Sequence, residues 1–390
     1  MSFAKGGERK LEKVSVIETP SYDQTVVNAA VARHFQLHGM EEKLHPGMKV
    51  LVKPNLLLKR RPEEFTTTHP TVVEAVIEAL KGYGVTDIVI ADSPGGLYTR
   101  VQLAAIYRAS GMEDVARRQG VALNLETGSG EVSAPGARCC ARFTLIDPVR
   151  RADMVVSVGK VKTHGMTGLS GGVKNLFGCI PGLMKPELHC QFPEKGSFGH
   201  MLVDLCECVR PGFTVMDGVE AMEGDGPSGG TMRRVGLTFA AENPYALDLG
   251  LCRLMGLDES SVPTIAAAKE RGLSGGYGEG MEIVGDFTDI APIPGYQKPR
   301  SASVDFSAHV PRMFRRPVAW LEKKASPKPV IRRQGCIGCG KCAESCPQKT
   351  IAIVEKKARI DYSRCIKCFC CHEMCPVKTI DIKRNLILHR

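Results

Sequence analysis

Residues 336 to 351 read CIGCGKCAESCPQKTI, and residues 365 to 380 read CIKCFCCHEMCPVKTI. Both follow C-x2-C-x2-C-x3-C-P, and matching cysteines stand 29 positions apart, since 365 minus 336 and 375 minus 346 give the same step. Cysteines at this interval wrap three corners of one iron–sulfur cube, while the fourth, turned away at its proline, reaches the other cube. Crossed ligation therefore groups Cys336, Cys339, Cys342 and Cys375 on one [4Fe-4S] cluster. Cys365, Cys368, Cys371 and Cys346 go to the second. Structural zinc is the competing reading of CxxC pairs. It accounts for neither the prolines, nor the three-residue interval, nor the duplication. Cys370 is out of step with the ligand spacing and reads as a small buried residue beside a cluster.

The tail resembles the bacterial two-cluster ferredoxin family over nearly all of residues 331 to 390, with Pro347 and Pro376 at the family's proline. Ile351–Val354 and Arg359–Asp361 look like a short hairpin between the motifs, with a partner hairpin near Ile380–Leu388. The expectation is a small α+β module with two clusters, working as an electron relay with a redox partner protein.

Moving outward, charge is uneven. The net +10 concentrates in residues 298 to 334, with ten basic and two acidic residues, and in residues 335 to 390, with eleven and five. The remaining thirty-one basic and thirty-five acidic residues leave residues 1 to 297 slightly acidic. The neck carries Pro292, Pro294, Pro299, Pro311, Pro317, Pro327 and Pro329, which prevent a long helix. It also holds Trp320, Phe306, Met313 and Phe314 among arginines. It reads as a linker packed on the main body, or as a basic surface for a membrane face or an acidic partner. Nucleic-acid binding is not expected, because aromatic stacking platforms and a reader motif are missing. Sixteen cysteines without an export signal point to reduced thiols and a cytoplasmic setting. No run of eighteen apolar residues suggests a membrane span.

Residues 10 to 290 alternate strand-like and helix-like runs. KVSVI, MKVLVKP, TDIVIADS, ADMVVSVGKVK, GFTVMDG and RVGLTFAA read as strands, and residues 24 to 37, the run from Pro70 to just before Gly82 and the run after Pro244 read as helices. The expected fold class is α/β, a mostly parallel sheet with helices on its faces. The expected organisation is an α/β domain over 10–290, a Pro-rich basic linker over 291–330 and the cluster module over 331–390.

Four loops follow these strands. KPNLL offers Lys53, Pro54 and Asn55; DSPGG offers Asp92. GKVKTHGMTGLSGGVKNLFGCIPG, residues 159 to 182, offers Lys160, Lys162, His164, Lys174 and Asn175 among glycines that suit an anion. Lys174 is followed by asparagine, so this is not a Walker A loop. MDGVEAMEGDGPSGG offers Asp217, Glu220, Glu223 and Asp225, and its literal GxGxxG contains Pro227 and opens no helix, which excludes the dinucleotide fingerprint. Ligands in open α/β sheets sit beyond the carboxyl ends of strands. The loops are therefore expected to converge on one crevice with a basic wall and an acidic wall, holding a small anionic ligand. Candidate catalytic residues are Lys160, Lys162, His164, Lys174, Asn175, Asp217 and Asp225, each of which also reads as a cap or turn residue. Cys179, Cys206 and Cys208 read as packing residues.

The order of these four motifs is similar to the domain-of-unknown-function family 362 over roughly residues 10 to 290. Members often carry a C-terminal two-cluster module, which implies a ferredoxin-like iron–sulfur protein of anaerobic microbes and implies no particular reaction. The expectation is delivery of electrons to a small anionic substrate, as in a ferredoxin-dependent reductase. The alternative is a non-catalytic electron carrier or adaptor that docks onto a partner oxidoreductase.

Overall fold

A computed structural model describes residues 11–300 and 326–383. The stretch with Phe306, Met313, Phe314 and Trp320 lies outside the described residues, as do positions 384 to 388 of the expected second hairpin.

The strands of the body are β1 (Glu12–Glu18), β2 (Lys49–Pro54), β3 (Asp87–Ile90), β4 (Ala122–Leu123), β5 (Ser129–Ser133), β6 (Arg142–Ile146), β7 (Met154–His164), β8 (Gly168–Ser170), β9 (Phe213–Glu223), β10 (Thr231–Ala241) and β11 (Met281–Gly285). All but β5 and β6, which form a separate ribbon, join one sheet in the order β11-β1-β10-β9-β7-β2-β3-β4, with β8 folded back on β7. The five steps β11-β1, β9-β7, β7-β2, β2-β3 and β3-β4 are parallel. Only β10, the RVGLTFAA run, is antiparallel to both neighbours. The body is thus a mostly parallel mixed sheet with helices on its faces. GDGPSGG is the hairpin turn between β9 and β10, which explains why its glycines open no helix.

Helices form where the sequence supplies caps and an apolar stripe. Asp23 accepts from Thr25 and Val26 N–H groups to start the helix Gln24–Leu37. Pro70 and Pro244 stand at first helical positions, and Asn243 caps the second of these helices. In the helix Pro70–Gly82, Val72, Val73, Val76, Ile77 and Leu80 are wholly buried against β2 and β3, alongside Val50, Val52 and Ile90. Each such side chain contributes about 1.5–3 kcal/mol. The opposite face is covered by Leu176, Phe177, Phe198 and Leu202 from segments after β8.

The C-terminal module adds β12 (Lys328–Ile331), β13 (Ile351–Val354), β14 (Lys357–Ile360) and β15 (Ile380–Lys383). β13 and β14 form the expected hairpin. β15 does not turn back on its own continuation: it pairs antiparallel with β12, upstream of the first motif. The pairing joins the two ends of the duplication, a long-range choice that local turn signals do not encode. Short helices at Lys341–Glu344 and Cys370–Glu373 carry the ends of the two cysteine runs.

Candidate iron–sulfur centre and the crevice it caps

Two cavities lie inside the module. The first, about 320 Å³ including its open mouth, is lined by Cys336, Cys339, Cys342 and Cys375. The second, about 340 Å³, is lined by Cys346, Cys365, Cys368 and Cys371, with Cys370 beside them. Each cavity thus takes three cysteines from one motif and the fourth from the other, as crossed ligation requires. Backbone N–H groups point at sulfur in both: Ala358 to Cys336 Sγ at 3.4 Å, Thr379 to Cys375 Sγ at 3.3 Å and Thr350 to Cys346 Sγ at 3.4 Å. Such donors stabilise thiolate charge and tune cluster potentials. Among the described residues no three His, Cys, Asp or Glu side chains converge as a single ion would demand. A zinc site needs four ligands for each ion and gives no reason for two sets that each borrow their fourth cysteine from the other motif. The donor set fits iron–sulfur cubes.

The segment between Cys371 and Cys375, His372-Glu373-Met374, plugs into the body at the carboxyl ends of the strands. His372 Nε2 lies 3.0 Å from the Asp225 carbonyl, and its Nδ1 faces the Ile380 carbonyl. The Ser228 hydroxyl donates to the Glu373 carbonyl at 2.9 Å. A Cβ on Gly229 would stand 2.5 Å from the His372 ring, and one on Gly95 2.5 Å from Met374 Sδ. These glycines of the DSPGG and GDGPSGG loops therefore seat the module. Arg60 grips the far end of the same segment, donating to the carbonyls of Cys375 at 3.1 Å and Pro376 at 3.0 Å. Gln348 donates to Cys190 Sγ at 3.2 Å, closing the body over the second cavity.

Behind the plug lies a cluster of buried polar side chains, the polar chamber of the body. Lys160, Lys162 and His164 are not in a loop, as the sequence suggested, but alternate along β7, so period two sends them to one face. Lys160 is the register partner of Asp217 on β9 and pairs with it at 2.9 Å. Tyr22, stacked on His69 at 3.7 Å between centroids, donates to Asp217 at 2.9 Å and accepts from Lys160 at 2.6 Å. Lys53 pairs with Asp92 at 2.7 Å. Asn175 joins Asn55, at 3.0 Å, to Ser157, at 2.9 Å. Lys162 donates to Asn55 at 2.6 Å and to the Thr66 carbonyl at 2.8 Å. Burial, with Lys174 adding repulsion, pushes the Lys162 ammonium down to about 7.

The chamber's anion comes from the module itself. Glu373 reaches His164 Nε2 at 3.2 Å. His164 Nδ1 accepts N–H bonds from Met166, at 3.1 Å, and Thr167, at 3.3 Å, so the ring is neutral with its proton on Nε2. Burial lowers the His164 pKa, in line with that tautomer. Burial opposes the charge of Glu373, yet the His164 contact and the nearby Lys174 outweigh it and hold the carboxyl low, at about 2. Since His164 is neutral, we assign this stabilisation to its hydrogen bond and to Lys174. Lys174 lies over the Phe177 ring at 4.4 Å, and no hydrogen-bond or ion-pair partner for its ammonium is found among the described residues. Its pKa is lowered by burial.

The acidic wall does not assemble as one surface. Asp92 and Asp217 are consumed by lysines. The Asp225 carboxylate turns away to Arg300, at 2.7 Å, and Glu223 accepts from the Gln297 N–H at 3.0 Å. Both hold the segment entering the neck. Glu220 lies in β9, where its N–H meets the Tyr22 hydroxyl. Cys179 and Cys206 are buried, as packing residues should be, and Cys208 is half-buried. Sequence reasoning missed Arg60, Tyr22, Asp248, His189, Lys185 and Glu373. Asp248 accepts from Gly172 at 2.6 Å and Val173 at 3.3 Å, and burial raises its pKa to about 7. His189 is buried with Nδ1 unpartnered, and Lys185 spends its ammonium on Ser93 and the Ile180 carbonyl. Glu373 carried no signal of its own, since the first motif has Glu344 at the matching position.

The fold and site define a class: an α/β body capped by an iron–sulfur module. The chain belongs to the family described as "Domain of unknown function (DUF362)", matched over residues 50–253, and residues 328–376 match a 4Fe-4S dicluster domain. It is 32% identical over 270 residues to the thylakoid-associated protein sll1697 of Synechocystis, covering 68% of this chain and 81% of that one. A solved structure, the lactate racemase apoprotein from Thermoanaerobacterium thermosaccharolyticum, aligns at 16% identity with a TM-score of 0.40, over 65% of this chain and 59% of its own. A Thermotoga maritima protein aligns at 14% identity with a TM-score of 0.32, over 51% of each chain. Iron–sulfur electron transfer follows from the dicluster domain. Among the described residues no helix is long and apolar enough to cross a membrane.

Proposed function

We propose that the protein holds two [4Fe-4S] clusters, on the crossed cysteine sets lining its two cavities, and reduces a small anionic substrate beside the second. Each cluster, once bound, supplies one-electron transfer at a potential set by its surroundings. The body's residues do the rest. Lys174 supplies a cation that makes no hydrogen bond or ion pair among the described residues, and Asn175, Asn55 and Asp92 hold the surrounding lysines in place. Lys162, poised at about 7, is suited to pass a proton to a reduced product at neutral pH. The observation that carries this reading is the placement of Lys174: over the Phe177 ring, with no hydrogen-bond or ion-pair partner among the described residues, and close enough to Glu373 for its charge to act on it. The test is electron paramagnetic resonance of the reduced, fully loaded protein with phosphate, sulfate, acetate or pyruvate added. At least one anion should perturb the signal of one cluster only, and Lys174→Met should abolish that response. No response to any of these anions removes the substrate reading.

A second reading has its own observation. Glu373 already occupies the basic chamber, which suits a carrier or adaptor whose body serves to seat the module. Unchanged spectra together with a tightly docked module support it.

A further inference from the structure

The two cavities differ in what surrounds their mouths. Ile337, Val377 and Ile353 line the first and are 60%, 41% and 39% exposed. Cys339, which lines the same cavity, is exposed as well. None of the large hydrophobics that stand exposed among the described residues lines the second cavity. Gln348 of its lining donates to Cys190 of the body, and Cys370 and Cys371 of its lining begin the plugged Cys370–Glu373 helix.

Cations surround the apolar mouth. The turn at Lys356 presses on Gly338, where an added Cβ would stand 2.3 Å from the Lys356 carbonyl. Lys357 donates to the Cys336 carbonyl at 2.6 Å. Arg333 and Arg359 share a single carboxylate, Glu355, at 3.6 and 3.5 Å, and Lys341 faces Glu344 at 3.6 Å. Five cations thus face two carboxylates, so positive charge is left over. An apolar centre ringed by charge is the anatomy of a protein interface, and excess charge steers oppositely charged carriers to it.

We infer that the mouth of the first cavity, centred on Ile337 and Val377 and rimmed by Arg333, Lys341 and Lys356, docks a small acidic one-electron carrier protein. Electrons would cross between the two proteins here. Nucleic acid fits less well, because phosphates gain nothing from an apolar centre, and the patch suits a small transient interface. The inference rests on the cluster reading proposed above.

The experiment uses full-length protein loaded anaerobically, with iron content and visible spectrum measured first. An acidic [2Fe-2S] ferredoxin is titrated at 20 mM and 200 mM salt by calorimetry, and its rate of electron delivery is compared with that of dithionite. Affinity should fall at least tenfold with salt. The Arg333→Glu/Lys356→Glu protein should lose at least tenfold in both affinity and ferredoxin-driven reduction, while dithionite reduction stays unchanged. Ile337→Asp should weaken the same contact. Equal binding of a basic cytochrome, wild-type affinity in the charge-reversed protein, or preference of the patch for DNA or anionic vesicles would overturn the docking inference. Absence of iron would sink the cluster reading instead, and carrier binding is still read by calorimetry in that case.

Discussion

The duplicated motifs have the same cysteine spacing, yet their cavities face different worlds. The first opens outward past Ile337 and Val377, with Cys339 exposed. The second has no exposed large hydrophobic in its lining and meets the α/β body through Gln348 and Cys190, while His372, Glu373 and Met374 enter the crevice at the strand ends. In the first motif the corresponding residues are Ala343, Glu344 and Ser345, and among the described residues Glu344 pairs with Lys341 alone. Three side chains between the third and fourth cysteines therefore convert a symmetric repeat into a polar device with an outer port and an inner contact. Internal duplication sets up two equal sites; the residues between the ligands decide which one docks.

The sharpest way to break this comparison is through the crossed cysteines. Cys346→Ser should empty the same site as Cys371→Ser, and Cys375→Ser the same site as Cys339→Ser, each dropping iron from about eight to about four per chain. Iron analysis with Mössbauer spectroscopy checks it; if Cys346→Ser and Cys339→Ser perturb the same cluster, the cavities have been misread.

A second prediction concerns the plug. Glu373→Ala removes a charged hydrogen-bond partner of His164 and leaves Lys174 without its nearest carboxylate. Docking should weaken by about 2 kcal/mol. Hydrogen exchange should rise roughly thirtyfold in residues 225 to 229 and 371 to 375 while the sheet core stays protected. Equal exchange in wild type and variant would show that Glu373 does not hold the module.

The smallest effect is a slope. Lys162 is depressed to about 7 from an ordinary 10.5, and Lys185 likewise to about 7. Between these values the unfolded chain binds more protons than the folded one, so stability should rise with pH from about 7 to 10.5 and level off beyond. Lys162→Met should flatten that rise in denaturant titrations. An unchanged slope would mean that Lys162 stays charged in its chamber.

Much of this was legible beforehand. Cysteine spacing located both cavities and their crossed lining, because ligand geometry leaves few alternatives at that interval. The strand runs were legible as buried apolar segments, and Pro70 and Pro244 marked helix starts. The 159–182 stretch was harder. Its lysines and glycines look like a loop because cations are costly to bury, but Asp217, Asn55 and the Thr66 carbonyl satisfy them along a strand. The DSPGG and GDGPSGG loops were expected to converge on a crevice through their acids; Gly95 and Gly229 in them make room for Met374 and His372. No local pattern reveals that, because Glu373 and His164 are 209 positions apart in the chain.

By itself the sequence determined that one cysteine motif is written twice at a fixed step, that strands alternate with helices, and that positive charge gathers in the last quarter of the chain. These rest on spacing, periodicity and composition, which are local. Only the tertiary structure decided that the basic crevice receives a carboxylate from the module, that β15 pairs with β12, and that one cavity faces outward while the other faces the body. Those are contacts between segments far apart in the chain, and burial, which makes a lysine want a partner, does not say where along the chain that partner stands.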